Sequence, residues 1–335
     1  MTTILYTESV FSDEDYERGV FGPDAEIVRR NVSSLAEVED DVCARTEGLM
    51  LFRHFLPAAE LARFPRLRVV VRMGVGYDRI DRAEAARRKV VVCNCPDYGT
   101  TEVADHAVAL MMALRRGVLL HHDAQRRSPQ AAAWAPIDDP LIRRLSSLTV
   151  GIVGLGRIGT ATALRFKAFG CRVVFFDPHL PNGVELALGL LRAASLADLL
   201  RESNVLSIHV PLTRETRGMI GADEIALLPS GAVVINTARG PVLDLEAVAL
   251  GLRSGRLAGA GLDVLPIEPP ADPLPALLQA YRARESWLEG RLVITPHSAF
   301  ASPEAYEDIK RKSAETMRAV LIDGQSRNLI PPDAE

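Results

Sequence analysis

The sequence predicts an α/β protein with two doubly wound, parallel β-sheets, and two observations carry this prediction. Short apolar runs rich in β-branched residues alternate with amphipathic segments along most of the 335 residues, as in parallel strands connected by covering helices. These runs fall into two sets, one before residue 100 and one after residue 148. Each set is large enough for a sheet of its own, so we expect two domains.

The first set contains five strand-like runs separated by helical ones, which predicts a complete small domain. The strands are expected at residues 4–7, 25–28, 48–52, 68–72 and 90–93. One amphipathic segment between them, residues 33–41, is expected to be helical.

A buried helix is expected at residues 102–116, and a less regular segment follows it at 117–147. That segment contains prolines together with the apolar side chains of Trp134, Ile137, Leu141 and Ile142. A solvated loop would not carry this many apolar side chains, so we interpret 117–147 as an arm that packs on another surface. A second subunit would provide such a surface, and a homodimer is therefore expected.

Six strand-like runs make up the second set and predict a six-stranded sheet between residues 148 and 296. They lie at 148–153, 172–176, 205–210, 232–237, 258–264 and 292–295. A single long helix is expected at 303–322, beyond the last strand and free to return to the first sheet. The first domain is therefore expected to be discontinuous, with residues 1–101 and 298–335, and the second domain to comprise 102–297.

Three glycines follow the first strand of the second set with the spacing Gly-x-Gly-x-x-Gly. Gly154 would let the chain turn off the strand, Gly156 would let a phosphate approach the backbone, and Gly159 would let helix and strand pack closely. The helix that begins near Arg157 and Ile158 would point its free N–H groups at that phosphate. This arrangement is typical of a Rossmann-like dinucleotide-binding domain.

Asp177 closes the next strand, and seventeen residues (160–176) separate it from Gly159. Its carboxylate can accept hydrogen bonds from the ribose diol of an adenosine, and it would repel a 2′-phosphate. NAD(H) is therefore the expected cofactor, in preference to NADP(H). The alternative is a glycine-rich turn in an ordinary βαβ unit, with an aspartate that only ends a strand.

The composition excludes several classes of function. A formal net charge of −4, from 39 basic and 43 acidic residues, gives no basis for binding nucleic acid or a membrane surface. No apolar run approaches the ~20 residues of a membrane span, and the first residues do not resemble a signal peptide, so a cytoplasmic protein is expected. The four cysteines are expected to be buried thiols without a bound metal, with a redox pair at Cys93 and Cys95 as the alternative.

Three motifs stand at the ends of strands in the second set, where open α/β sheets bind their ligands. They are Asn-Thr-Ala-Arg239-Gly, Asp263-Val-Leu-Pro-Ile-Glu268-Pro and Thr-Pro-His297. An arginine can hold a carboxylate, a glutamate can orient an imidazole, and a histidine can transfer a proton. Together these are the tasks of hydride transfer on a hydroxy acid, although each residue alone could be a helix cap, a solvated side chain or a core histidine.

With these motifs the sequence resembles the D-isomer-specific 2-hydroxyacid dehydrogenases along nearly its whole length. Within that family it is most similar to the branch that contains the C-terminal-binding-protein co-repressors. The shared stretches include Val-Arg72-Met-Gly74-Val-Gly76-Tyr-Asp, Cys-Asn-Cys-Pro96 and Phe-Asp177-Pro. The resemblance implies an NAD-dependent enzyme that transfers a hydride between the nicotinamide and C2 of a D-2-hydroxy acid or 2-oxo acid. An NAD(H)-sensing regulatory protein, like the co-repressors, is the alternative.

The resemblance implies a catalytic role for each of the three motif side chains. His297 would move the proton of the 2-hydroxyl group, and Glu268 would bind the other ring nitrogen of that histidine. Arg239 would hold the substrate carboxylate and carbonyl and neutralise charge that develops on oxygen.

Substrate contacts are also implied. The loop formed by Gly74, Val75 and Gly76 would bind the carboxylate through backbone N–H groups, and Arg72 would supply a second cation. Phe300 would close the end of the pocket against an apolar substituent on C2, or would simply pack at the start of the last helix.

For the cofactor, the resemblance implies a hydrogen bond between the nicotinamide amide and Asp263, with a strand-end cap as the alternative role of that carboxylate. Thr237 and Ala238 are expected to contact the cofactor from the motif that carries the catalytic arginine. Pro211 and Thr216 would form a wall around the adenosine, and a simple strand-exit turn is the alternative.

One interval departs from the family pattern, because 28 residues (269–296) separate the catalytic glutamate and histidine. Residues 275–290 within it look like an inserted helix that carries Leu277, Leu278, Tyr281 and Trp287. We expect this segment to line the mouth of the active site or an interface. The remaining histidines are expected to be surface or packing residues, namely His54, His106, His121, His122, His179 and His209.

Overall fold

The computed structural model describes residues 1–8, 10–11, 13–127 and 134–332, and the chain divides into two compact units. One unit comprises residues 1–99 and 301–335, and the other comprises 100–300. The first unit is therefore discontinuous, and the boundaries expected from the sequence, after 101 and after 297, lie close to these.

The first unit contains a five-stranded parallel sheet with the order β2-β1-β3-β4-β5. Its strands are β1 (Thr2–Tyr6), β2 (Ala25–Arg29), β3 (Thr46–Leu51), β4 (Val69–Arg72) and β5 (Val91–Asn94). All five match the strands predicted from the apolar runs, and this strand order is that of doubly wound, flavodoxin-like sheets.

Short helices cover this sheet, and one predicted helix is wrong in its extent. The helices are α1 (Asp15–Phe21), α2 (Asp40–Arg45), α3 (Ala58–Leu61) and α4 (Arg82–Arg87). The amphipathic segment 33–41 is instead a 3₁₀ turn at Leu35–Glu37 followed by the start of α2. Val38 and Glu39 have extended backbones, and this break lets both Leu35 and Val38 be buried.

The second unit begins with two helices and continues as an alternation of strands and helices. In order these elements are α5 (Thr100–Arg115), α6 (Val118–Arg127), β6 (Thr149–Val153), α7 (Arg157–Ala168), β7 (Arg172–Phe176), α8 (Val184–Leu188), β8 (Leu191–Arg192), α9 (Leu196–Glu202), β9 (Val205–Ile208), α10 (Ala222–Leu227), β10 (Ala232–Asn236), α11 (Leu245–Ser254), β11 (Leu257–Leu262), α12 (Ala276–Arg282) and β12 (Leu292–Ile294).

These strands form one parallel sheet of seven, in the order β12-β11-β10-β9-β6-β7-β8. The predicted doubly wound sheet is confirmed, but the predicted number of six strands is wrong. The additional strand β8 has two residues and pairs with β7 through Val174 and Phe175. A run of two residues has no measurable alternation, so periodicity could not reveal it.

The segment 117–147 is described only in part, because residues 128–133 lie outside the described residues. None of the described side chains of α6 is buried, and Trp134 is 84% exposed. Leu141, in contrast, is fully buried and joins the core formed by α5, β6 and β7. This part of the predicted arm therefore packs on its own unit.

The inserted segment 275–290 belongs to the core of the second unit, contrary to the expectation that its apolar face lines an active-site mouth or an interface. Leu277 of α12 and Leu288 of a following 3₁₀ turn are buried in the same cluster as the apolar face of α11. Trp287 packs against this cluster and lies under the guanidinium of Arg253, 4.0 Å from its ring centre.

The last helix, α13 (Pro303–Met317), packs on the first unit, and a π-helical turn at Arg318–Ile322 follows it. The predicted single helix over 303–322 therefore changes its winding at residue 318. Met317 and Leu321 lie directly against Gly48 of β3, where a Cβ would have no room. Residues beyond 300 thus complete the layer of helices on the first sheet.

All four cysteines are buried and free. Burial raises the pKa of Cys93 to about 12 and that of Cys95 to about 11. A thiol with so high a pKa carries almost no thiolate at neutral pH, which argues against the redox-pair alternative. No helix in the described ranges has both the length and the apolar character needed to cross a membrane.

Candidate active site

The glycine motif forms the loop between β6 and α7. Gly154 has a φ of +85°, and an added Cβ at Gly159 would overlap the carbonyl oxygen of Gly154. The position of a Cβ on Gly156, at the N-terminus of α7, has no described atom within 4 Å. The loop thus leaves open space at the N-terminus of a twelve-residue helix, which fits the pyrophosphate of a dinucleotide.

Asp177 follows β7 and lies beside this loop. Its Oδ2 accepts a hydrogen bond from the backbone N–H of Leu155 at 2.9 Å, and its Oδ1 accepts one from the N–H of His179 at 3.0 Å. Each carboxylate oxygen can accept more than one hydrogen bond. The side chain is therefore held in place and retains capacity for a ribose hydroxyl.

The strand β9 leads into the turn that contains Pro211 and Thr216. The hydroxyl of Thr216 donates to the carbonyl of Pro211 at 2.6 Å and accepts from the N–H of Thr213 at 2.8 Å. These are the hydrogen bonds of a strand-exit turn, which was the alternative to an adenosine wall. A contact with adenosine stays a prediction.

His209 packs beneath the glycine loop, as expected for a packing residue. Its Nε2 lies 2.8 Å from the hydroxyl of Ser207, while its Nδ1 is buried and has no hydrogen-bond partner among the described residues. Burial of the ring lowers the pKa of His209 to about 3. The imidazole is therefore neutral behind the site where a pyrophosphate would bind.

Arg239 lies in a loop that a buried asparagine holds. Asn236, at the end of β10, accepts from the N–H of Ala238 and donates to the carbonyl of Arg239, both at 3.0 Å. A Cβ on Gly240 would overlap the backbone of Leu265, so this loop is in close contact with the loop that leads to Glu268. The positioning role of Asn236 was not predicted from the sequence, although this residue stands in the same motif as Arg239.

A buried hydroxyl in the same loop has no partner. Thr237 Oγ1 is buried without a hydrogen bond to any described residue. A buried hydroxyl without a partner costs free energy unless a ligand satisfies it. This group therefore fits a polar ligand bound at the carboxyl ends of the strands, which is where a dinucleotide is expected.

Glu268 and His297 form the expected pair. Glu268 Oε2 lies 2.6 Å from His297 Nδ1, and Oε1 accepts from the N–H of Leu265 at 2.8 Å. A carboxylate only accepts hydrogen bonds, so the ring carries a proton on Nδ1, which leaves Nε2 available to bind or release a proton. The edge of Phe300 approaches the imidazole, with ring centroids 6.4 Å apart at 81°.

Asp263 holds the turn that carries His297. Its buried carboxylate accepts hydrogen bonds from the hydroxyl of Thr295 (2.6 Å) and from the backbone N–H groups of Ser298 (2.9 Å) and Ala299 (3.0 Å). Its carbonyl oxygen accepts from the N–H of His297 at 2.7 Å. The strand-end cap, the alternative role of Asp263, is thus observed, and a bond to the nicotinamide amide stays a prediction.

His106 belongs to this cluster, although the sequence predicted a surface or packing residue at this position. From α5, its Nε2 lies 3.0 Å from Thr295 Oγ1 and 3.8 Å from Asp263 Oδ1. No local pattern in the apolar helix α5 marks a histidine that contacts a residue 189 positions further along the chain. Only the packing of α5 against the sheet reveals it.

In the first unit, hydrogen bonds hold the backbone of the loop after β4, which carries the expected substrate-binding residues. Gly74 has a φ of +156°, and an added Cβ would overlap the guanidinium of Arg72 unless that side chain moved. The carbonyl of Val75 accepts from Asn94 Nδ2 at 2.7 Å, and that of Gly74 accepts from the N–H of Cys95 at 3.1 Å. The two carbonyl groups are thus bound by the last residue of β5 and by the residue that follows it.

No group of three histidine, cysteine or acidic side chains suited to a metal ion occurs in the part of the chain that the structure describes. The site instead combines a glycine loop at a helix N-terminus with a carboxylate-held histidine and an arginine loop at the ends of strands. A doubly wound domain with these features defines a class, the oxidoreductases that use a nicotinamide dinucleotide.

Comparison with known proteins gives the family. Residues 108–299 match the model of the D-isomer specific 2-hydroxyacid dehydrogenase NAD-binding domain. The chain is also 39% identical over 271 residues to a glyoxylate reductase of Korarchaeum cryptofilum, covering 80% of this chain and 76% of that protein. The protein belongs to the D-isomer-specific 2-hydroxyacid dehydrogenase family.

Further relatives agree on enzymatic activity. A glyoxylate reductase of Thermococcus litoralis is 36% identical, covering 82% of this chain and 80% of that protein. The structure of a D-lactate dehydrogenase from Aquifex aeolicus with NAD and lactic acid has a TM-score of 0.81 at 27% identity, covering 98% of both chains.

An NADPH-dependent glyoxylate/hydroxypyruvate reductase from Sinorhizobium meliloti, with NADP and malonate, has a TM-score of 0.83 at 29% identity, covering 98% of this chain and 96% of that chain. The protein is thus an NAD(P)-dependent 2-hydroxyacid oxidoreductase. Similarity to the co-repressor branch stays a prediction.

Proposed function

We propose that the protein uses NAD(H) to interconvert a small 2-oxo acid and the corresponding D-2-hydroxy acid. The observation that carries this proposal is the 2.6 Å contact between Glu268 and His297 Nδ1, because it leaves Nε2 as the acid/base atom. The contact between the Arg239 loop and the backbone of Leu265 supports it, since that loop carries a permanent cation close to the glutamate loop.

In the reduction, a bound NADH would supply the hydride that C2 accepts. His297 donates the Nε2 proton to the carbonyl oxygen as negative charge develops there, and the carboxylate of Glu268 stabilises the imidazolium before the transfer. Arg239 pairs with the substrate carboxylate and stabilises the charge on the carbonyl oxygen. In the reverse direction His297 Nε2 accepts the hydroxyl proton.

The loop after β4 is proposed to bind the substrate carboxylate. The N–H groups of Val75 and Gly76 would donate to it, because the N–H of Gly74 already donates to the carbonyl of Arg72 and the carbonyl of Val75 accepts from Asn94. Arg72 would add a cation. Phe300, which lies at the edge of the imidazole, would face the substituent on C2.

The proposed cofactor contacts follow the dinucleotide from end to end. Gly154, Gly156 and Gly159, with Arg157 and Ile158 at the start of α7, would hold the pyrophosphate. The turn at Pro211 and Thr216 would flank the adenosine. Thr237, Ala238 and Asp263 would face the nicotinamide half, where the hydroxyl of Thr237 needs a partner.

The preference for NAD(H) rests on Asp177. Two backbone N–H groups hold its carboxylate beside the glycine loop, where a 2′-phosphate would meet a fixed negative charge. Pro178, next in the chain, has no N–H to offer such a phosphate. One relative uses NADPH, so the ratio of kcat/KM values for NADH and NADPH is an informative measurement.

The test is a screen of 2-oxo acids, including glyoxylate, pyruvate and hydroxypyruvate, with NADH and NADPH. We expect reduction with NADH, and a kcat lowered by ~10²–10⁴-fold in His297→Ala with nearly unchanged NADH binding. Turnover of none of these acids, or normal turnover by the variant, would reject the proposal.

Asp177→Ala should reduce the preference for NADH over NADPH. Equal kcat/KM values for NADH and NADPH in the wild type would contradict the role of Asp177.

We further propose that the protein is a homodimer through the segment 117–147. Val118 and Trp134 are 54% and 84% exposed, and large apolar side chains of this kind favour a protein–protein contact. Light scattering should give about twice the chain mass of 36.5 kDa. A monomer at micromolar concentration would refute this proposal, and Trp134→Ser should weaken a dimer.

A further inference from the structure

His106 is a histidine next to the catalytic turn that the proposed mechanism does not use. Its ring lies at the inner side of α5, with a quarter of the side chain exposed. It contacts Thr295 Oγ1 at 3.0 Å, and Thr295 is two residues before the acid/base His297. A side chain in this position can act on the reaction through the turn without touching the substrate.

The directions of the hydrogen bonds follow from the number of available protons. Thr295 has one hydroxyl proton, and the carboxylate of Asp263, 2.6 Å away, can only accept it. The hydroxyl oxygen of Thr295 therefore accepts from His106, which must carry a proton on Nε2. The three side chains form a chain in which each donor has one acceptor, from His106 through Thr295 to Asp263.

The end of this chain sets the position of the catalytic histidine. Asp263 binds the N–H groups of Ser298 and Ala299 through its side chain and that of His297 through its carbonyl oxygen. His297 itself has a φ of +53°, a backbone angle that residues other than glycine rarely adopt. The turn keeps this conformation because Asp263 binds three consecutive N–H groups, one through its backbone carbonyl and two through its carboxylate.

We propose that His106 is a positioning residue for His297. Its Nε2–H fixes the hydroxyl of Thr295, the hydroxyl fixes the rotation of the Asp263 carboxylate, and the carboxylate fixes the turn that aims His297 Nε2 at the substrate. This inference rests on the proposed function of His297 as the acid/base. It adds a residue on α5, outside the strand-end motifs, to the machinery of proton transfer.

The first test compares His106→Phe with His106→Gln. Phenylalanine keeps the ring volume but cannot donate, so we expect kcat to fall roughly 10-fold or more, with the NADH dissociation constant changed less than twofold. Glutamine has an amide N–H at a similar reach and should restore most of kcat. His54→Phe is the matched control, because the His54 ring also lies 3.0 Å from a threonine hydroxyl, that of Thr7, and has no part in the proposed site, and it should keep the wild-type kcat.

A double-mutant cycle tests whether the effect passes through the threonine. Thr295→Val removes the hydroxyl and keeps the shape. If His106 acts through this hydroxyl, His106→Phe combined with Thr295→Val should be no slower, within about twofold, than Thr295→Val alone. Losses that multiply, or equal losses in His106→Phe and His106→Gln, would overturn the proposal.

An NMR measurement separates this proposal from the proposed function. The Nδ1 proton of His297, held by Glu268 at 2.6 Å, should give a far-downfield signal that Glu268→Gln removes. We expect His106→Phe to shift or broaden this signal and His106→Gln to preserve it, whether or not any 2-oxo acid is reduced. A signal unchanged in His106→Phe would overturn the positioning role, and absent turnover with a responsive signal would reject only the proposed function.

Discussion

His297 has a backbone conformation that costs of order 1–3 kcal/mol for a residue with a side chain. Its φ of +53° persists because Asp263 binds the turn from two sides. Three hydrogen bonds to the buried Asp263 offset this conformational cost: two charge-assisted bonds to its carboxylate and one bond to its backbone carbonyl. At the scale of the residue, the proposed proton transfer by His297 would therefore depend on the carboxylate of Asp263, which does not itself take part in the transfer.

Phe300 gives a prediction about substrate discrimination. If its ring bounds the pocket beside His297, Phe300→Ala should cost ~1–3 kcal/mol of transition-state binding for 2-oxo acids with apolar side chains. Glyoxylate, which has no side chain to touch the ring, should be affected much less. The measurement is kcat/KM for glyoxylate and for a 2-oxo acid with an apolar side chain. Equal losses for the two substrates would mean that Phe300 only packs at the start of the last helix.

His209 gives a prediction about pH and stability. Burial lowers its pKa in the folded protein to about 3, whereas the ordinary value is about 6.5. Between these values the unfolded chain binds a proton that the folded protein excludes, so stability is full above pH 6.5 and falls as the pH decreases towards 3. This residue contributes at most about 1.4 kcal/mol per pH unit.

The check is urea unfolding at pH 7.0, 5.5 and 4.5. His209→Gln, which cannot titrate, should lose less stability over this interval than the wild type. The exposed His179 provides a matched control, since His179→Gln should follow the wild type. Parallel pH profiles for wild type and His209→Gln would show that His209 is protonated in the folded protein.

At the scale of the element, the loop between β6 and α7 separates two uses of glycine. Gly159 is needed for the fold, because an added Cβ would overlap the carbonyl oxygen of Gly154. Gly156 has an ordinary φ of −69° and open space around its Cβ position. Nothing in the surrounding described structure requires a glycine here, which fits the proposed contact of this residue with the pyrophosphate.

Alanine substitutions distinguish these two roles. Gly156→Ala should lower NADH affinity at least 10-fold, because a methyl group would occupy the place of the pyrophosphate, and should leave Tm within about 2 °C. Gly159→Ala should lower both the NADH affinity and Tm, since the backbone must shift. Fluorescence titration and thermal unfolding give both quantities. Full NADH binding by Gly156→Ala would place the phosphate elsewhere.

At the scale of the whole molecule, each unit has a sheet and core of its own. The chain enters the first unit, builds the second over 100–300, and returns after residue 300. Met317 and Leu321, in this returning segment, lie against Gly48 of β3. The first unit therefore requires both ends of the sequence, whereas the second unit is continuous.

Truncation tests this division. Residues 100–300 expressed alone should fold and bind NADH, because the glycine loop, Asp177 and the strand-end motifs all lie within them. Residues 1–300 should contain a folded second unit and an unfolded first unit, seen as rapid proteolysis within 1–99. A chain 100–300 that does not fold, or resistance of 1–99 to protease, would contradict the division.

The sequence by itself determined the two parallel sheets, the glycine loop and the Arg239, Glu268 and His297 motifs. These depend on signals that are local in the chain, such as apolar periodicity and short motif spacing. The pairing of Glu268 with His297 could be anticipated because both follow adjacent strands of one sheet, β11 and β12.

Only the tertiary structure decided the strand β8, the core position of the inserted segment, and the contact of His106 with Thr295. A strand of two residues has no periodicity, and the apolar side chains of 275–290 suit a core and an interface equally. The hydrogen bond between His106 and Thr295 joins residues far apart in the sequence. Such a contact forms because α5 packs on the sheet, and no local pattern encodes the direction in which a single polar side chain of a buried helix points.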